Sequence, residues 1–133
     1  MTHLPVPEEK AELHLKLGRK LALFVKTDTF FNVQTFDWIC LEKTDVDYKA
    51  TLFRSVHEGD ELMNDVLTFR TLNEEEEGYD EVTNPFFSGS LEDCFEWIQS
   101  IFPVEALSFL HHENLKSLYS ELILQGVFEK ENQ

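Results

Sequence analysis

The chain has 133 residues, of which 42% are hydrophobic and 28% charged, and its 11 basic and 26 acidic residues give a formal net charge of −15. This length and composition are typical of one globular domain, so wholesale disorder is excluded and a second domain is not expected. The longest uninterrupted apolar run, residues 21–25, is far shorter than the roughly 20 residues that a membrane-spanning helix needs.

The first nine residues contain Pro5 and Pro7 and show no hydrophobic periodicity. We therefore expect residues 1–9 to be a loose lead-in. They also lack the basic and apolar regions of a secretory signal, which predicts a cytoplasmic protein.

A hairpin is predicted to follow the lead-in. Its first strand is indicated by leucines at alternate positions, which are Leu13, Leu15 and Leu17. The second is indicated by residues 20–27, which are rich in Leu, Phe and Val, and Gly18 lies in the turn between them. A competing helix over residues 7–26 would hold Gly18 in its interior at a cost of about 1 kcal/mol.

Three more strands are predicted, at residues 36–41, 48–56 and 66–72. The first of them has apolar side chains on both faces, which is typical of a central strand. Because short polar segments link these runs, we predict an antiparallel meander of about five strands.

Residues 73–89 are predicted to be an acidic connecting loop, because like charges at this density resist packing. The loop combines carboxylates with one aromatic ring, as partner-binding surfaces do. The residues predicted to bind a partner are Glu74, Glu75, Glu76, Glu77, Tyr79, Asp80 and Glu81. A solvated connector is the alternative interpretation of the same residues.

Helices are predicted after the loop. Ser90 is followed by acidic residues, which is a helix-start signature, and Pro103 ends that helix. The apolar stripe of the helix consists of Leu91, Phe95, Ile98 and Phe102. A short second helix from Val104 would place Leu107 and Leu110 inward.

A third helix is predicted from Asn114, with Gly126 just past its end and a frayed tail at residues 129–133. Its inward side would consist of Leu115, Leu118, Tyr119 and Leu122. The predicted fold is α+β: a sheet of about five strands followed by two or three C-terminal helices packed on one face.

The motifs of common catalytic and cofactor sites are absent from the sequence. The five glycines are at least eleven positions apart, which excludes Gly-rich phosphate loops and the nucleophile elbow. No two of the five histidines are four residues apart, and there is no Cys-x-x-Cys pair, so no metal site and no cofactor is predicted. The two cysteines, Cys40 and Cys94, have apolar neighbours and are predicted to be buried thiols, with one disulfide or a reactive thiol as alternatives.

The negative charge is concentrated in the second half of the chain. Residues 1–70 carry nine basic and twelve acidic side chains, net −3, and residues 71–133 carry two and fourteen, net −12. This field disfavours direct binding to nucleic acid or to membranes and attracts basic proteins. The hypothesis is a non-enzymatic binding protein for a basic partner, in its sharpest form an inhibitor or immunity-type protein that masks a nuclease toxin. The alternatives are a small homo-oligomeric domain, whose acidity serves only solubility, and an enzyme of unfamiliar type with a pocket between sheet and helices.

Overall fold

A computed structural model describes residues 5–30, 33–57 and 84–126. Within these ranges, six strands form one antiparallel sheet with three α-helices packed against it, which confirms the α+β class. The elements in chain order are β1 (Val6–Pro7), α1 (Glu8–Lys16), β2 (Leu21–Phe30), β3 (Val33–Lys43), β4 (Tyr48–Val56), β5 (Phe86–Gly89), α2 (Leu91–Ile101), β6 (Ser108–His111), a 3-10 turn (His112–Asn114) and α3 (Leu115–Leu124).

The strands are arranged in the order β1-β6-β2-β3-β4-β5. The predicted meander is present in β2, β3 and β4, and β3 is a central strand as expected. Strand β6 departs from the meander, because it lies between β1 and β2 although it comes late in the chain. Two further predictions, the strand at residues 66–72 and the tail at residues 129–133, fall outside the described residues.

The first strand of the predicted N-terminal hairpin is wrong, because α1 occupies that segment. The buried residues of α1 are Ala11 and Leu15, four positions apart, whereas Leu13 and Leu17 are 62% and 61% exposed. The alternating leucines therefore do not mark one buried face. Gly18 lies just beyond the helix with a φ of +84°, where glycine ends a helix without steric cost, so the helix does not run through it.

The lead-in prediction is also wrong at its C-terminal end. Val6 is buried and pairs with Phe109 of β6, so this segment forms a short edge strand. Glu8 continues the contact, since its backbone N–H donates to the carbonyl oxygen of Leu107 at 3.2 Å. The start of α1 is thereby attached to the strand that follows α2.

The short helix predicted from Val104 is likewise wrong, because β6 occupies residues 108–111. Leu107 and Phe109 are both buried and Ser108 between them is exposed, which is the period-two pattern of a strand. Pairing with β1 on one side and β2 on the other satisfies its backbone groups, which a single helical turn would leave largely unpaired.

The other two C-terminal helices are confirmed. The Ser90 hydroxyl oxygen accepts a hydrogen bond from the Asp93 backbone N–H at 3.1 Å, which caps α2. Gly126 follows α3 with a φ of +75°, as predicted for a helix end. The predicted loop over residues 73–89 is wrong at its end, because residues 86–89 form β5 and pair with β4.

The helices cover both faces of the sheet, whereas the sequence predicts that they share one face. Helices α1 and α2 pack on one face through Ala11, Leu15, Cys94 and Ile98. Helix α3 packs on the opposite face, where Leu115 and Tyr119 contact an aromatic cluster that includes Phe36 and Trp38. The cause is visible in β3, whose alternate residues are buried on both sides, so each face needs a cover.

Candidate functional site

The predicted partner-binding residues all lie outside the described ranges. They are Glu74, Glu75, Glu76, Glu77, Tyr79, Asp80 and Glu81. Their role stays a prediction. The structure does describe a second concentration of carboxylates, which the sequence interpretation missed.

This second concentration is a groove between the first turns of α1 and α2, which we call the acidic groove. It has a volume of about 420 Å³ and is lined by Glu8, Glu9, Glu12, Leu91, Glu92 and Phe95. Four of these six residues are acidic. The groove therefore concentrates negative charge around an apolar floor.

Hydrogen bonds between side chains and backbone fix both walls of the acidic groove. The wall formed by α1 is attached to the segment before β6, since the Glu8 carboxylate accepts a hydrogen bond from the Leu107 backbone N–H at 3.4 Å. The wall formed by α2 begins at the capped Ser90. Because both helices begin beside this groove, their acidic residues are presented together.

The floor of the groove is made by Leu91 and Phe95, which are half-buried against the main core. The Phe95 ring stacks on Phe109 of β6 with a centroid distance of 6.0 Å. A floor of this kind suits a lysine or arginine, whose aliphatic stem covers apolar surface while the charged head reaches a carboxylate.

The carboxylates of the groove are accessible, because Glu9, Glu12 and Glu92 are exposed. The Glu12 carboxylate forms an ion pair with Lys16 at 3.5 Å, and both side chains are 57% exposed. Such a surface pair contributes about 1 kcal/mol or less, so it competes only weakly with a partner's cation. Helix α2 adds Asp93 and Glu96 beside Glu92 and contains no basic residue.

Four ion pairs use carboxylates from the first half of the chain. They are Glu12–Lys16, Glu42–Lys20, Asp28–Lys26 and Asp37–Arg54. All four precede Thr71, after which the net charge is −12. Among these four pairs, only Glu12–Lys16 involves a residue of the groove. The acidic residues of α2 add further negative potential to it.

A separate group of polar side chains is buried within the sheet. Asp37 is 1% exposed and accepts a hydrogen bond from the Thr35 hydroxyl at 2.9 Å, with the Arg54 guanidinium 3.7 Å away. Burial raises the pKa of Asp37, while the Thr35 hydrogen bond and Arg54 oppose that rise. These partners are what a buried carboxylate requires, so the group is explained as packing.

A second buried contact joins α3 to the sheet. Nδ1 of His57, which follows β4, is hydrogen-bonded to the Tyr119 hydroxyl. Burial lowers the pKa of His57 because it disfavours the imidazolium form. On the same face, the Trp38 indole N–H donates to the Ser55 hydroxyl at 2.9 Å. The bond to Tyr119 attaches α3 to the segment after β4, and the Trp38 bond joins β3 to β4 beneath the helix.

Both cysteines are buried free thiols, as predicted. Burial raises the pKa of Cys40 to about 12 and that of Cys94 to about 11. Neither thiol is therefore activated as a nucleophile at neutral pH.

Residues 5–30, 33–57 and 84–126 contain no group of three or more His, Cys, Asp or Glu side chains placed to hold a metal ion. Over the same ranges, no helix combines the length and the apolar character needed to cross a bilayer.

The chain matches no protein-family model, no curated protein and no solved structure with which it was compared. Its function is therefore inferred from the acidic groove and from the distribution of charge.

A sequence signal for the α1 wall of the groove was available. Pro7 followed by Glu8 and Glu9 is a typical helix start, since proline has no N–H to lose there and acids complement the N-terminal dipole. The alternating leucines that follow favour a strand, so the two patterns in this segment predict different structures. The α2 wall follows from the predicted helix, but the pairing of the two walls depends on β6, which was predicted as a helix.

Proposed function

We propose that this chain is a non-enzymatic binding protein whose acidic groove docks a basic segment of a protein partner. The observation that carries the proposal is the convergence of Glu8, Glu9, Glu12 and Glu92 on one apolar-floored groove. Carboxylates steer a cationic partner and the floor adds contact area, which is how charge and desolvation are combined at interfaces.

The rest of the chain supports the same kind of partner. Its net charge of −15 raises association rates with basic proteins at low salt. The predicted binding residues at 74–81 would extend the acidic surface used by that partner. In its narrower form, the proposal is an inhibitor or immunity-type protein that covers the cationic nucleic-acid-binding cleft of a nuclease toxin.

The test compares two variants that remove the same charge. The groove variant is Glu9→Gln, Glu12→Gln and Glu92→Gln, and the control variant neutralises Asp45, Asp47 and Glu113, which lie away from the groove. Five of these six side chains are exposed and Asp47 is half-buried, so both variants should keep the wild-type melting temperature within a few degrees.

The wild-type chain is first used to capture a basic partner at low salt. The captured protein is then purified, and its rate of association with the wild-type chain and with each variant is measured at several ionic strengths. We expect the groove variant to slow association at least tenfold more than the control variant does, and the wild-type rate to fall steeply with added salt. Equal effects of the two variants, or a rate that is indifferent to salt, would contradict docking in the groove.

The predicted partner-binding residues at 74–81 are tested with a separate variant. Replacing Glu74, Glu75, Glu76 and Glu77 by glutamine should also slow association without changing the melting temperature. If the partner is a nuclease, the wild-type chain should block its cleavage of DNA, and the slowed variants should need higher concentrations. An unchanged nuclease rate in the complex would contradict the inhibitor form of the proposal.

A homo-oligomeric domain is a second candidate, which the exposed leucines of α1 favour. Leu13 and Leu17 are one helical turn apart and are 62% and 61% exposed. Light scattering at increasing protein concentration separates the two candidates. A mass that stays at one chain would rule out self-association, whereas a mass that falls to one chain in Leu13→Ser would favour it.

A further inference from the structure

A second concave region lies at the other end of α1, and we call it the basic pocket. It has a volume of about 580 Å³ and is lined by Gly18, Arg19, Lys20, His111, His112 and Glu113. Four of the six lining residues carry basic side chains. In a chain with a net charge of −15, such a concentration of basic groups needs an explanation.

The backbone builds this pocket from the turn after α1 and the end of β6. Gly18 turns the chain with its positive φ, and the Arg19 backbone N–H donates to the His14 carbonyl oxygen at 3.2 Å. The His112 backbone N–H donates to the Lys20 carbonyl oxygen at 3.1 Å, which attaches the two sides of the pocket to each other. These backbone hydrogen bonds therefore fix the positions of the segments that carry the basic side chains.

Two of the lining side chains, Arg19 and His111, contact His14, which lies beside the pocket. The Arg19 guanidinium donates to Nδ1 of His14 at 3.3 Å, and the rings of His14 and His111 meet edge to face with a centroid distance of 5.0 Å. Partial burial lowers the pKa of His14, and so do the nearby His111, Arg19 and Lys10. The neighbours of His14 thus create a local positive potential that opposes its protonation.

Two carboxylates partly offset the positive potential of the pocket. Glu113 lines the pocket, and Glu42 lies 3.9 Å from the Lys20 ammonium, with the Lys20 side chain 51% exposed. Arg19 and Lys20 thus give two fixed positive charges against these two acids, and each imidazole that becomes protonated adds one more. A proton on any imidazole at this end of α1 therefore makes the surroundings of the pocket more positive.

We propose that the basic pocket binds a small ligand through a tetrahedral oxyanion group, a phosphate or a sulfate. A guanidinium offers paired N–H donors that match the oxygens of such a group, and lysine and imidazolium add charge around it. The ligand is small, because the net negative charge of the chain repels a polyanion such as nucleic acid outside this pocket.

The proposal is tested by NMR titration of the histidine ring signals with inorganic phosphate and inorganic sulfate at constant ionic strength. Sodium chloride and sodium acetate serve as control anions. Arg19→Gln is compared with Lys26→Gln, which removes the same charge near the middle of β2, where Lys26 pairs with Asp28 at 2.9 Å. Both residues are exposed, so both variants should fold.

We expect saturable shifts of the His14 and His111 rings with phosphate and sulfate and much smaller shifts with acetate and chloride. Arg19→Gln should weaken binding by roughly tenfold or more, the usual effect of losing a charged hydrogen bond, and Lys26→Gln by less than about twofold. In saturating sulfate the pKa of His14 should rise, and sulfate should bind more tightly at pH 5.5 than at pH 7.5. Sulfate suits that comparison because it stays doubly charged over this range.

Several results would overturn the proposal. Equal weakening in the two variants would mean that phosphate and sulfate respond only to the overall charge of the chain. Shifts that grow linearly without saturation, or a His14 pKa that does not move in saturating sulfate, would show that no oxyanion sits beside this ring. Lys20→Gln gives a second check, since it should also weaken binding while leaving the fold intact.

Discussion

The two ends of α1 differ in charge although only nine residues form the helix. Its first turn contributes Glu8 and Glu9 to the acidic groove, and its last turn contributes His14 beside the basic pocket. Acids at the start and bases at the end both complement the helix dipole, so this separation of charge also stabilises the helix. A net charge summed over the whole chain therefore hides two local fields of opposite sign.

The largest expected effect is on the free energy of unfolding, when the buried side chain that anchors α1 to the core is shortened. Leu15 is 1% exposed, and Leu15→Ala should lower the free energy of unfolding by about 2–5 kcal/mol. Urea denaturation followed by circular dichroism measures this. The control is Leu13→Ala, at a residue that is 62% exposed, which should cost about 0.5 kcal/mol or less. Similar losses in both variants would mean that the buried face of α1 is assigned wrongly.

A smaller effect is expected at the end of α1 alone. A Cβ at Gly18 meets no heavy atom of the described residues within 4 Å, so only the positive φ penalises a side chain there. Gly18→Ala should therefore cost about 1–2 kcal/mol, and Gly18→Asn less, since asparagine tolerates this conformation. Thermal unfolding compares the two variants. An alanine variant as stable as the wild type would show that the helix does not end in this way.

The basic end of α1 should also respond to pH. Because the pKa of His14 is lowered in the folded state, the unfolded chain binds this proton more tightly. The contribution of His14 to stability is then complete above pH 6.5 and declines as the pH falls below it. An NMR titration should give His14 a midpoint below 6.5 that moves upward in Arg19→Gln. A midpoint above 6.5 in the wild type would contradict the positive potential.

The smallest effect is expected for the ion pair between Glu12 and Lys16. Both side chains are 57% exposed, and a pair four residues apart on a helix contributes about 0.3–0.5 kcal/mol. A double-mutant cycle with Glu12→Gln and Lys16→Gln measures this coupling. A coupling above about 1 kcal/mol would mean that Glu12 is committed to Lys16 and is less available to a partner.

The sequence predicts the parts of the fold in which one pattern dominates. Strand β4 is an apolar run that follows a polar segment, and helix α2 has a clear apolar stripe and the Ser90 cap; both are confirmed. Prediction fails at α1, where exposed Leu13 and Leu17 imitate a strand, and at β6, which is only four residues long. A strand that short is defined by its partners β1 and β2, which are distant in sequence.

The acidic groove and the basic pocket could not be predicted from local sequence patterns, because each joins segments that are distant in the sequence. The acidic groove unites α1 with α2, which lie about 80 residues apart, and the basic pocket unites the turn after α1 with the end of β6. Both depend on the pairing of β6 with β2, which no periodicity within either segment reports. The net charge suggests a basic partner as a hypothesis, and the place of the acidic groove on the described surface follows only from the topology.

The most direct test of the acidic groove as a docking site is an NMR titration of the ¹⁵N-labelled chain with a short arginine-rich peptide. We expect the largest amide shifts in the first turns of α1 and α2, around Glu9 and Glu92. These shifts should be lost in the groove variant but not in the control variant. Shifts spread evenly over exposed carboxylates such as Asp45 and Glu113, or shifts that persist in the groove variant, would contradict it.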